Sequence, residues 1–112
     1  MINGDEAGEI ELAAMQASWR SLAIRWRLTE TERTGLLPAG GEGDTAPPAD
    51  TETRMRIMLE VDRGLPLDEA EIAGWLREQQ PMLLGYTPLE VMSGVTGDLR
   101  YVRHLVAEGL LP

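Results

Sequence analysis

Two acidic pairs, Glu60 with Asp62 and Asp68 with Glu71, have the side-chain type and spacing for acid–base work, one carboxyl giving a proton while the other takes it. Neither has a companion nucleophile, and both stand at helix starts or on helix faces, so they read as caps and solvated surface. His104 is the single histidine and cysteine is absent, leaving no common zinc set, no thiolate nucleophile and no disulfide framework. Gly40, Gly41 and Gly43 lie among acids without the lysine that a phosphate-cradling loop requires. Catalytic residues, metal and cofactor are all expected to be none, and the chain reads as a non-enzyme. Arg100 and Arg103 admit two readings: cations favoured near a helix C-terminus, or contacts for acidic or phosphate-bearing groups of a partner.

Composition narrows the partner. The 112 residues suffice for one compact domain or two small helical lobes sharing a core. Net charge is −9 and all 10 basic residues are arginine, so the field opposes any polyanion and makes nucleic acid a poor solo partner. No segment approaches the roughly 20 apolar residues that span a bilayer. The start MINGDEAGEIE has acids where a signal peptide has a basic start and an apolar run. A cytoplasmic protein with no membrane partner is expected.

The elements that must position these residues are helices. Leu12, Met15, Trp19, Leu22 and Trp26 recur three and four apart, an apolar stripe down a helix of about five turns. Thr29 and Glu32 form a capping box, hydroxyl and carboxylate each satisfying a free amide, before a short helix ending at Leu36 and Leu37. Residues 38–50, PAGGEGDTAPPAD, are expected to be a linker that sustains no helix. Helical spacing resumes from Thr51 to Gly64 with Met55, Met58, Leu59 and Val61, and Gly64 with Pro66 signals a stop. Asp68 suits the cap of a helix whose inner face holds Ile72, Trp75 and Leu76. Thr87, Pro88 and Glu90 supply an N-cap, a first helical residue and a second capping box for a short helix through Met92. Gly94 breaks it and Thr96 suits a further cap. Leu99, Val102, Leu105 and Val106 then face a last helix that stops at Gly109. With no alternating β-branched run, the fold expected is all-α, with about five to six helices.

The stretch from Met55 to Val106 resembles the toxin-binding domain of the Xre/MbcA/ParS antitoxins, partners of RES-domain toxins. The matching residues are Trp75 and Leu76, Pro81, Leu84 and Gly85, then Thr87, Pro88, Leu89 and Glu90, followed by a glycine break and a terminal helix with Arg103 and Leu105. Upstream, Leu22 to Thr29, Glu32 and Leu36-Leu37 are similar to the Trp-rich region preceding that domain. The resemblance implies a degenerate helix-turn-helix-like region at 1–37, the linker at 38–50 and a toxin-binding helical domain at 51–112. It implies an antitoxin covering the active site of an NAD-degrading or ADP-ribosylating toxin, as a homodimer or a hetero-oligomer with the toxin. The last helix and tail would make the contact: Arg100, Arg103, His104, Leu105, Ala107, Glu108, Gly109, Leu110, Leu111 and Pro112. One departure stands out. Where a DNA-recognition helix should follow Leu37, the Pro/Gly/Asp segment stands instead, which puts direct DNA binding in doubt.

Each functional reading has a plainer competitor. Thr87 to Glu90 is first a helix-starting device, and Trp75, beside Ile72 and Leu76, is first a core residue. Trp19 and Trp26 suit a core, although the seam from Leu12 to Trp26 also suits a dimer. His104 reads as a surface histidine. Leu110, Leu111 and Pro112 either fold back onto the domain or await a partner's groove. Competing functions are a DNA-binding autorepressor of its own operon and a dimerising scaffold.

Overall fold

The computed structural model describes residues 4–37 and 49–111. Those residues form six α-helices and no strand: α1 (Gly4–Arg25), α2 (Glu30–Leu36), α3 (Ala49–Gly64), α4 (Glu69–Trp75), α5 (Pro88–Met92) and α6 (Thr96–Ala107), with a 3₁₀ turn at Pro81–Leu83 before α5. The all-α expectation is met. Pro38 to Pro48, the body of the expected linker, lies outside the described residues. Ala49 and Asp50 belong to α3, two residues earlier than the spacing indicated, because acids at Asp50 and Glu52 suit the positive end of the helix dipole.

Helix starts follow local chemistry. At α2, the Glu32 amide donates to Thr29 Oγ1 (3.1 Å) and the Thr29 amide to Glu32 Oε1 (2.9 Å). The same reciprocal pair joins Thr87 and Glu90 at α5, and Asp68 with Glu71 at α4. The carboxyls of the last pair, spaced as an acid–base dyad would be, are spent on starting a helix. Thr96 does not cap α6. Val95 holds the cap position without a side-chain bond, and Thr96 instead donates its hydroxyl to Asp50 Oδ1 at 2.7 Å, tying α6 to α3.

Helix ends are equally specific. Arg27 takes a left-handed φ of 55°, so that the Leu28 amide reaches the Ala23 carbonyl (3.0 Å) and the Arg27 amide the Ile24 carbonyl (3.0 Å), a Schellman closure on a non-glycine residue. Gly109, with φ 73°, closes α6 the same way: the Leu110 amide bonds Leu105 O at 2.9 Å and the Gly109 amide bonds Val106 O at 3.1 Å.

One core joins everything. Trp19, Leu22 and Trp26 of the α1 stripe, Leu36 and Leu37, Met55, Met58 and Val61 of α3, Trp75 and Leu76, and the inner face of α6 form a single buried cluster. The segments on either side of residues 38–48 are therefore not separate lobes. Trp26 is fully buried, and its indole N–H is satisfied by Asp62 Oδ1 at 2.9 Å, while Arg25 pairs with the other carboxylate oxygen at 2.6 Å. Trp75 is also core, and its indole N–H has no partner among the described residues.

Candidate functional site

Two arginines hold the two halves in register. Arg54, on α3, is 4% exposed and directs its guanidinium at carbonyls at helix ends, with a longer bond to Thr96 Oγ1 (3.5 Å). Nε donates to Leu36 O (2.7 Å), Nη2 to Met92 O (2.7 Å) and Nη1 to Gly94 O (2.9 Å). A buried cation is tolerable there because the C-termini of α2 and α5 present partial negative charge. Burial pushes its pKa down, with Asp50 pulling the other way. Arg77 serves the end of α1: Nη1 bonds Trp26 O (3.2 Å) and Nη2 bonds Arg27 O (2.9 Å) and Glu32 Oε1 (2.8 Å). Partial burial opposes ionisation of Glu32, but the Thr29 amide and Arg77 prevail and hold its carboxyl below the ordinary 4.5. The planar fork of arginine suits such multiple bonding.

This frame presents a cleft of about 560 Å³ between the 3₁₀ turn, α5 and the start of α6. Met82, Leu84, Tyr86, Val91 and Tyr101 give it apolar walls, and Glu90 and Asp98 are its charged members. The turn over it is closed by its own backbone. The Gly85 amide bonds Gln80 O (3.0 Å), the Gln80 amide bonds Tyr86 O (3.0 Å) and the Tyr86 amide bonds Leu83 O (3.1 Å). Leu83 is buried and pins it to the core, while the Leu89 amide on α5 bonds Leu76 O (3.1 Å).

Leu84 lies at φ 58°, ψ 31° and Gly85 at φ 86°, the backbone of a type I′ turn, in which both central residues are left-handed. Asn-Gly is the favoured pair there. A leucine at the first position is strained, and it is also 90% exposed. Met82, Tyr86 and Tyr101 beside it are exposed as well.

The residues expected to meet a partner divide among different places. Arg100, Arg103, His104 and Ala107 do share a face, lining a depression of about 370 Å³ with Glu60 and Gly64. Arg103 is engaged there with Glu60 at 3.0 Å. Glu108 is exposed, Gly109 is committed to the helix stop, and Leu110 is 52% exposed. Leu105 and Leu111 lie in the core and offer nothing to a partner in this conformation, so the apolar end folds back. Pro112 lies outside the described residues. Of the motif residues, Trp75, Leu76, Pro88 and Leu89 are buried, Thr87 and Glu90 form the cap, and Pro81 opens the 3₁₀ turn.

Arg54, Arg77, Tyr86, Asp98 and Tyr101 carry no motif that marks them as functional in the sequence. Two signals were present. Leu-Gly between two short helices points to a left-handed turn, and Tyr101 stands off the Leu99, Val102, Leu105 register of α6. Comparison of the chain with protein-family models, with curated proteins and with solved structures found no match.

Proposed function

We propose that this chain is a protein-binding inhibitor, the antitoxin of a RES-domain toxin, acting in the cytoplasm by covering the toxin's active site. What supports the reading is one observation beside the motif resemblance: large apolar side chains gathered around a walled cleft within residues 82–101, the stretch where that resemblance is densest. An exposed apolar cluster rimmed by polar groups is the surface expected of a binding module. With Leu111 folded into the core, the reading favours this cleft and the exposed flank of α6, rather than the extreme C-terminus, for the contact. DNA recognition gains no support from α2, which is seven residues long and carries Glu30 and Glu32 in its first turn.

The test is co-expression with the protein encoded beside this chain, co-purification, and an assay of NAD consumption by that protein alone and in complex. Complex formation with loss of activity is expected. A neighbour that neither binds nor consumes NAD would sink the antitoxin reading.

A further inference from the structure

We infer that the cleft over Leu84, Tyr86 and Tyr101 takes an apolar segment of another protein that carries an arginine or lysine, the apolar side chains seating on Leu84 and the cation meeting Asp98 and Glu90. The inference rests on the protein-binding reading and names the chemistry of the partner segment.

Three observations converge on it. Leu84 is unfavourable twice over, in a left-handed backbone that suits Asn or Gly and in a position that leaves nine-tenths of an apolar side chain in water. Strain retained at an exposed residue points to a role outside the fold. The walls are apolar and aromatic, suited to anchoring a side chain from a partner. The charged members are acids only, since no basic residue lines the cleft. The Asp98 carboxylate makes no hydrogen bond or ion pair among the described residues, and Glu90 uses only Oε1, on the Thr87 amide. The net charge of −9 extends this field. It opposes a second copy of the chain and attracts a basic segment.

The experiment titrates the full ¹⁵N-labelled chain with three synthetic amphipathic peptides: one of leucine and arginine, one with glutamate for every arginine, and one with alanine for every leucine. The leucine–arginine peptide is expected to shift the amides of 82–86, 90–91 and 98–101 saturably, with at least tenfold weaker binding by the other two. Leu84→Asn, which keeps the turn, and Asp98→Asn with Glu90→Gln, which keeps the cap, should each weaken it about tenfold. Equal binding of the glutamate peptide, shifts confined to Arg100, Arg103 and His104, or unchanged affinity in Leu84→Asn would overturn the inference. So would the same amides shifting with protein concentration alone, which would assign the cleft to a second copy. Peptide binding is independent of the neighbouring protein, so loss of the antitoxin reading leaves this result standing. Conversely, a toxin complex indifferent to all of these variants would remove the cleft and spare the antitoxin.

Discussion

Replacing Arg54 by methionine keeps a flexible stem in the core and removes every donor from three carbonyls. The Leu36 and Met92 carbonyls are met by buried bonds, whereas the bond to Gly94 is only partly buried and water can replace it. Two orphaned buried acceptors cost about 1–3 kcal/mol each. Release of the guanidinium from its desolvated position offsets part of this. The net loss should be about 2–4 kcal/mol, a large share of the stability of a domain this size. With a urea slope of roughly 1 kcal/mol/M, the unfolding midpoint falls by about 2–4 M. Urea melts followed by tryptophan fluorescence measure it directly, since Trp19, Trp26 and Trp75 are all core residues. Arg54→Lys, a point charge that cannot span the separated acceptors, should fall between the two. A loss under about 1 kcal/mol with an unchanged slope would show that water reaches the carbonyls and that the clasp contributes little.

Leu84→Asn should raise the melting temperature, by about 2–6 °C for a gain of roughly 0.5–1 kcal/mol, because it restores the residue that a type I′ turn favours; a fall in calorimetry would refute the strain argument. Leu111→Ala should cost about 2 kcal/mol in urea unfolding, as expected for a buried leucine whose site partly collapses, and a negligible effect would mean that the chain end does not hold the core. Glu32 has a folded pKa below its ordinary value, so its contribution is present above about pH 4.5 and is lost as pH falls through the depressed value. Stability measured from pH 6 down to pH 3 should therefore decline less steeply in Glu32→Gln than in the parent chain, and identical slopes would remove Glu32 from the acid response.

Helix positions were legible because their signals are local. The stripe from Leu12 to Trp26, the boxes at Thr29 and Thr87 and the stop at Gly109 depend on residues within a turn or two of one another. The arginine clasps were not, since Arg54 reaches partners 18 to 42 residues away, and its helical register with Met58 and Val61 points it inward without naming those partners. Thr96 shows the same limit. A hydroxyl between Gly94 and a helix looks like a cap, but Asp50 of a distant helix offered it a better partner. The cleft has no local signature because Tyr86 and Tyr101 come to line one cavity only once α5 and α6 are packed, whereas the tail, singled out by the family resemblance and its apolar composition, contributes Leu111 to the core.

The bonds from Arg54 to Leu36 and from Arg77 to Trp26 and Arg27 cross from one side of residues 38–48 to the other, as does the Trp26 bond to Asp62. Those contacts bind the two sides together independently of the covalent link. A chain nicked there would behave as two complementary fragments, held by a common core and by hydrogen bonds that neither piece can satisfy alone. Its melting temperature would become dependent on dilution, and reporters fused at the two new ends would reunite only when both fragments are present.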